Sequence, residues 1–107
     1  MKIQKSNLGY RGYIFSRRIE GSLIPQRVQN LVIRDYAEQK KILFKLSATE
    51  YKMVNCYVVL ENVLKELNSL DGMIFYSLYM LPKDHKTRNL FFNKIIVKKK
   101  KLHFALE

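Results

Sequence analysis

The sequence predicts an α/β protein: a three-layer sandwich built around a mostly parallel four-stranded sheet with the strand order 2-1-3-4. Short apolar segments alternate with longer segments whose apolar residues recur at helical spacing, and this alternation is typical of parallel βαβ units. The short segments are almost continuously apolar, as expected for a sheet covered on both faces. Because βαβ crossovers are right-handed, we expect helices on both sides of the sheet.

Four segments rich in β-branched and aromatic residues predict the strands. A turn at Asp71-Gly72 precedes the third of them. The predicted strands are Arg11–Ser16, Ile42–Ser47, Met73–Ser77 and Leu102–Leu106.

Three amphipathic segments between these strands predict helices. Pro25 suits the first turn of a helix that runs from Gln26 to Lys41, because its missing N–H group costs nothing there. Asn55 is a plausible N-cap of the second helix, and Asp84 is the expected cap of the last one. The apolar face predicted for the first helix consists of Val28, Leu31, Val32 and Tyr36. The apolar face predicted for the last helix consists of Leu90, Phe91, Ile95 and Ile96.

Length and composition predict one domain spanning residues 1–107, since roughly 100–150 residues is the usual domain size. Cys56 is the only cysteine, which excludes a disulfide within one chain and a zinc-ribbon site. No apolar run approaches the roughly 20 residues of a membrane span. The opening stretch MKIQKSNLGYRG lacks the apolar segment of a signal peptide. We therefore expect a soluble, cytoplasmic protein.

Positive charge is concentrated at both ends of the chain. The sequence has 20 Lys and Arg against 9 Asp and Glu, a formal net charge of +11, and Lys98 to Lys101 are consecutive. A cationic surface attracts phosphates on nucleic acid, sugar nucleotide or lipid. Lysines at a helix end also complement the negative pole of the helix dipole. The run is lysine without interleaved stacking aromatics, which favours the second interpretation.

Polar residues at the carboxyl ends of the predicted strands form the candidate site. In parallel α/β folds, ligands bind beyond these ends, near the point where the strand order reverses. Arg17, beside the start of the first helix, is a candidate anion ligand, because helix N-termini and arginines both bind phosphates and carboxylates. Glu50 is the only carboxylate nominated as a general acid or base, and a solvated loop charge is the equal alternative. The candidate substrate-binding residues are Ser16, Arg17, Gln26, Asn30, Ser47, Thr49, Tyr51 and Asn55.

Motifs for cofactor or metal binding are missing from the sequence. It contains neither G-x-G-x-x-G nor G-x-x-x-x-G-K-[ST], so neither a dinucleotide nor a P-loop phosphate site is expected. His85 and His103 are widely separated, and a structural role is favoured for His103. Cys56 is interpreted as a small buried hydrophobic residue rather than a nucleophile. We therefore expect no metal and no cofactor.

Much of the chain resembles the catalytic domain of resolvase-type serine recombinases. The stretches "RGYIFSR", "QRVQNLVIRDYAEQKKI" and "LDGMIFYSLYMLPKDHKTRNLFFNKIIVKKKKLHFALE" follow that domain's strand–helix plan. The recombinase motifs themselves are missing: Y-x-R-V-S is replaced by Tyr13-Ile14-Phe15-Ser16-Arg17, and D-R-L-G-R by Tyr79-Met80-Leu81-Pro82-Lys83. Because phosphodiester attack needs an array of arginines, the resemblance implies the fold without recombination.

A closer resemblance is to the small bacterial "sporadic carbohydrate cluster" family, whose genes lie among those for surface polysaccharides. It covers Gly9 to Glu107 and is carried by "GYRGYIFSR", "PQRVQNLVIRDYA", "LSATEY" and "NCYVVLENVL". This resemblance implies a setting, the cytoplasmic synthesis of a surface sugar, rather than a particular reaction. Most of the polar residues in these stretches lie at the carboxyl ends of the first two predicted strands.

Three hypotheses of function follow. In the first, the protein binds, and acts on or merely holds, a sugar acid, sugar phosphate or sugar nucleotide, with Arg17 on the anion and Glu50 as the proton-transfer group. In the second, it is a non-catalytic accessory subunit that assembles with itself or with an enzyme of the same pathway. In the third, which is the least favoured, it is a degenerate recombinase-like domain that binds nucleic acid, and its affinity would then depend steeply on salt.

Overall fold

The computed structural model describes residues 8–106, along which strands and helices alternate. The strands are β1 (Tyr10–Ile14), β2 (Phe44–Thr49), β3 (Gly72–Ser77) and β4 (Lys101–Leu106). The helices are α1 (Gln26–Lys40), α2 (Val58–Lys65) and α3 (His85–Val97), and single 3-10 turns follow α2 and β3. Residues 1–7, which hold most of the stretch used to predict the absence of a signal peptide, lie outside the described residues, as does residue 107.

The four strands form one sheet in the order β2-β1-β3-β4, and all three neighbouring pairs are parallel. This confirms the predicted α/β class and strand order. Right-handed crossovers place α1 on one face of the sheet and α2 and α3 on the other. Strands β3 and β4 approach closely where β3 begins, since a Cβ atom on Gly72 would collide with the Lys101 carbonyl group.

Aromatic side chains fill the layer between the sheet and α3. Tyr13 and Phe75 are neighbours on β1 and β3, both are fully buried, and their ring centroids are 4.8 Å apart. Phe91 of α3 packs edge-on against Phe75 at 5.6 Å, and Phe104 of β4 lies 5.5 Å from the same ring. Phe75 is therefore the centre of the core on this face.

The buried face of α1 differs from the predicted one. Val28 and Leu31 are 41% and 54% exposed, whereas Gln29, Ile33 and Ala37, each four residues apart, face the sheet. Gln29, although polar, can occupy this buried face because backbone groups form hydrogen bonds with its side chain. Hydrophobicity alone therefore predicted the wrong side of the first two turns.

Strand β2 begins two residues later than predicted. The backbone N–H groups of Lys41 and Ile42 donate to the carbonyls of Glu38 and Ala37, so this segment closes α1 instead of starting the strand. As a result, Ser47 lies in the middle of β2, opposite Gly12 of β1, and not at its carboxyl end. The predicted position of Ser47 in the site is therefore wrong.

The two predicted caps have different outcomes. Asp84 does cap α3, because its Oδ2 accepts a 2.9 Å hydrogen bond from the N–H group of Thr87. The backbone and side-chain hydrogen bonds from Thr87 lower the pKa of Asp84. Asn55 is not the cap of α2, since the helix begins at Val58 and Asn55 has a left-handed backbone with φ of 63°.

His103 has the structural role that the sequence favoured. Its Nδ1 lies 2.8 Å from the Tyr36 hydroxyl, and the rings of Tyr36 and Tyr10 pack edge-on against it. Phe104, the next residue, contacts Phe75 instead. Burial first, and then the positive charges of Lys101 and Lys40, lower the pKa of His103.

The lowered pKa predicts a pH dependence of stability. As pH falls below about 6.5, the unfolded chain takes up a proton on this residue before the folded chain does, so the free energy of unfolding should decrease. The decrease should end below the folded-state pKa of His103. Melting temperatures measured between about pH 8 and pH 5 should show this loss in the wild type and in His85→Gln, but not in His103→Gln. An unchanged profile in His103→Gln would assign the loss to another group.

Candidate functional site

The loops that follow β1, β2 and β3 meet at the carboxyl edge of the sheet and surround a groove of about 420 Å³, here called the carboxyl-edge groove. Arg17 and Arg18 come from the first loop, Lys52 from the second and Lys83 from the third, and all four line the groove. Glu20 is the carboxylate among the lining residues. The groove is therefore positively charged at the edge where parallel α/β proteins bind ligands.

Glu50 is a buried residue whose carboxylate accepts hydrogen bonds from the first turn of α2. Only 1% of its surface is exposed, although it follows the last residue of β2 directly. Its Oε1 accepts hydrogen bonds from the Tyr13 hydroxyl at 2.7 Å and from the Leu60 N–H group at 3.0 Å. Its Oε2 accepts from the N–H groups of Val59 at 3.0 Å and Tyr51 at 3.1 Å. The carboxylate thus satisfies two otherwise unpaired donors of the first turn of α2 and offsets the positive pole of that helix.

The surroundings of Glu50 fit neither role predicted from the sequence, that of a general acid or base or that of a solvated loop charge. A proton-transfer group needs an oxygen that a ligand or water reaches, and a solvated loop charge needs exposure. Both oxygens of Glu50 are instead occupied by protein donors. Burial and the hydrogen bond to Glu50 raise the pKa of Tyr13 far above its usual value, so its hydroxyl stays protonated as a donor. The arrangement holds a loop and a helix in place.

Arg17 forms hydrogen bonds to the loop between β2 and α2. Its Nη1 donates to the carbonyl oxygens of Tyr51, Met53 and Cys56 at 2.8, 3.0 and 3.1 Å. The guanidinium carbon lies 4.0 Å from the centroid of the Phe15 ring, a cation–π distance. Within residues 8–106 its side-chain hydrogen bonds all come from Nη1, and Nε and Nη2 donate to no protein group.

The other positively charged side chains of the groove form fewer hydrogen bonds to the protein than Arg17 does. Arg18 is exposed and donates to the carbonyl oxygen of Gly21, three residues further on. Lys83 forms an ion pair with Glu20 at 2.8 Å. Both side chains are exposed, and exposed ion pairs contribute little to the stability of the fold. Lys52 is exposed and makes no ion pair within the described residues.

Gln29 is a residue of this region that the sequence analysis missed. It is fully buried, and its Oε1 accepts from the Phe15 N–H group at 2.9 Å. Its Nε2 donates to the carbonyls of Phe15 and Ile24, both at 2.8 Å. The side chain therefore ties the end of β1 and the following loop to α1. The available signal was its spacing of four and eight residues from Ile33 and Ala37, which places it on the buried stripe.

The structure brings together some of the predicted site residues. Ser16, Arg17 and Asn55 line the carboxyl-edge groove, although the Ser16 hydroxyl donates to the Glu50 carbonyl at 2.7 Å. Tyr51 is exposed in the neighbouring loop and contributes its carbonyl oxygen to Arg17. Gln26 is exposed at the first position of α1, and Thr49 is half-buried at the end of β2; neither lines the groove.

Asn30 and Ser47 lie elsewhere, in an open cleft of about 1050 Å³ beside the edge strand β2. Asn30 Oδ1 and Ser47 Oγ are buried and have no hydrogen-bond partner within the described residues. Arg11 also lines this cleft, where it pairs with Glu66 at 2.8 Å. These two candidates are therefore not part of the groove at the carboxyl edge.

Residues 8–106 contain neither a helix suited to crossing a membrane nor a cluster suited to binding a metal ion. No described helix is long and apolar enough to cross a membrane. No group of three His, Cys, Asp or Glu side chains in this part of the chain is arranged to hold a metal ion. Cys56 is half-buried, with its Sγ 3.8 Å from Glu50 Oε2.

Comparisons of the chain with protein-family models, with curated proteins and with solved structures found no match.

Proposed function

We propose that this protein binds an anionic carbohydrate derivative (a sugar acid, sugar phosphate or sugar nucleotide) in the carboxyl-edge groove. The observation that carries the proposal is the charge of that groove: Arg17, Arg18, Lys52 and Lys83 line it with Glu20 as the opposing carboxylate. Glu50 is not part of the proposed binding site, because both of its oxygens accept hydrogen bonds from the protein.

The donors in the groove suit a phosphate or carboxylate. Arg17 keeps Nε and Nη2 free, and its guanidinium is already oriented by three carbonyls and by the Phe15 ring. A guanidinium held in this way loses little rotamer entropy when it forms a bidentate bond to an oxyanion. Arg18 and Lys52 add long-range attraction at the rim.

Aromatic side chains supply the second requirement of a carbohydrate site. The rings of Tyr57 and Tyr79 line the groove, and Tyr79 is 54% exposed. Small-molecule sites combine such apolar surfaces with a few oriented polar groups. The resemblance to the sporadic carbohydrate cluster family favours a sugar over other anions of this size.

A second candidate function is that of an accessory subunit whose groove is covered by another protein. Leu23 and Val54 line the groove and are 60% and 79% exposed, and Met53 beside them is 66% exposed. Large apolar side chains grouped on a surface are typical of protein–protein contacts. Such a partner would close a groove that is open in the single chain.

Ligand binding in the groove can be measured by thermal shift and titration calorimetry. We expect one of glucuronate, glucose 1-phosphate and UDP-glucose to raise the melting temperature. At about 100 times its dissociation constant the ligand should add about 2.7 kcal/mol of stability, which corresponds to roughly 10 °C. The double variant Arg18→Gln/Lys52→Gln should reduce this shift, because it removes two positive charges from the rim of the groove. Both side chains are exposed, so the substitutions should not disturb the fold.

The matched control removes two lysines from the opposite edge of the sheet. Lys94→Gln/Lys98→Gln lowers the net charge equally and should keep the full shift. Arg17→Ala is a poorer test, because it also releases the loop at 51–56. If both double variants lose the same part of the melting-temperature shift, the ligand is attracted by the net charge of the protein and not by the groove. If none of the ligands shifts the melting temperature, the accessory function is favoured.

A further inference from the structure

Lysines collect at the amino edge of the sheet, opposite the carboxyl-edge groove. Because the sheet is parallel, all four strands start at this edge and the three helices that precede or follow them end there. The last turns of α1, α2 and α3 contain Lys40, Lys65 and Lys94. Lys41 follows α1, residues 98–100 connect α3 to β4, and Lys101 is the first residue of β4. These residues are called the lysine edge.

In the described part of the chain, no carboxylate lies within ion-pair distance of a lysine of this edge. Apart from the half-buried Lys100, its side chains are exposed, and none forms an ion pair within residues 8–106. Glu66, an acidic residue at the end of α2, is paired with Arg11. The last turns of α1 lie beside the first residues of β4, since the Tyr36 hydroxyl is 2.8 Å from His103 Nδ1.

Two of these lysines occupy backbone positions that favour glycine. A lysine in the last turn complements the negative pole of its helix, and Lys40 and Lys94 already do so. Lys41 and Lys99 occupy left-handed positions after α1 and α3, with φ of 60° and 57°. Glycine is the favoured residue at such positions, because a Cβ atom strains them. Positive charge is thus present where the backbone would favour glycine.

Aliphatic side chains project among these lysines. Ile96 and Val97, which directly precede the run, are 68% and 77% exposed, and Leu43, two residues after Lys41, is 49% exposed. Basic residues combined with exposed aliphatic ones are typical of surfaces that bind the interface of anionic membranes. A nucleic-acid backbone would match the charge but would leave the aliphatic side chains without an apolar partner.

We propose that the lysine edge docks this protein on an anionic phospholipid surface. The lysine ammonium groups contact headgroup phosphates, and Ile96 and Val97 enter the boundary between headgroups and acyl chains. The proposal does not depend on the function of the carboxyl-edge groove, which then faces away from the lipid.

Co-sedimentation with vesicles tests this proposal. The wild type should bind vesicles of phosphatidylcholine mixed with phosphatidylglycerol at low salt, and should bind pure phosphatidylcholine weakly. The key variant is Lys41→Gly/Lys99→Gly, which removes two charges while relieving two strained backbone positions. We expect it to bind at least about tenfold more weakly, with a melting temperature equal to or above that of the wild type.

Two further double variants and a DNA duplex distinguish lipid binding from general charge attraction. Arg18→Gln/Lys52→Gln removes two charges from the opposite edge and should keep vesicle binding. Ile96→Ser/Val97→Ser should weaken binding to the vesicles but not to a DNA duplex measured in parallel. Absence of binding to phosphatidylglycerol vesicles, equal losses in the two double charge variants, or binding to the duplex with none to vesicles would each overturn the proposal.

Discussion

Replacing Glu50 with alanine should destabilise the protein by about 4 kcal/mol, a fall in melting temperature of roughly 15 °C. The substitution leaves the Tyr13 hydroxyl and the N–H groups of Val59 and Leu60 without their acceptor. Buried donors that lose their partner cost about 1–3 kcal/mol each. Because small domains are stable by only about 5–15 kcal/mol, this loss would remove a large fraction of the total stability.

Two further variants separate the cap from general charge effects. Glu50→Gln keeps the shape and one acceptor oxygen, and should cost about 2 kcal/mol. Glu61→Ala removes an exposed carboxylate from the first turn of the same helix, and should cost less than about 1 kcal/mol. Urea unfolding measures the free energy of unfolding of Glu50→Ala, Glu50→Gln and Glu61→Ala. If Glu50→Gln is as stable as the wild type but no longer binds the anionic ligand, Glu50 belongs to the site and not to the fold.

The second large effect is expected for Gln29→Ala, which should lower the free energy of unfolding by about 3 kcal/mol. Three backbone groups lose their partner: the N–H and carbonyl of Phe15 and the carbonyl of Ile24. Gln29→Met fills nearly the same volume without the hydrogen bonds, so it should recover only the packing part of the loss.

The control for this prediction lies on the same helix. Gln39 is exposed and donates to Asp35, and Gln39→Ala should change stability by less than about 0.5 kcal/mol. Hydrogen exchange at the Phe15 amide gives a local measure, because this N–H group should exchange faster in Gln29→Met than in the wild type. Equal urea midpoints for Gln29→Ala and Gln39→Ala would contradict a structural role for Gln29.

Glu50 and Gln29 show why the candidate site was only partly predictable. Both are polar residues in segments that the sequence placed at the carboxyl edge, and polarity there predicts contact with a ligand or with water. Each is instead buried, because backbone donors and acceptors distant in the sequence converge on it. The same applies to Arg17, whose Nη1 is occupied by three carbonyls more than thirty residues away.

By itself the sequence determined the α/β class, the order of the strands and the cap of α3 at Asp84. These depend on local apolar periodicity, on the handedness of crossovers and on a hydrogen bond between residues three apart. Tertiary structure alone decided the start of α2, the position of Ser47 within β2 and the burial of Gln29. Those features depend on strand register and on hydrogen bonds between distant segments, which a local pattern of residue types does not encode.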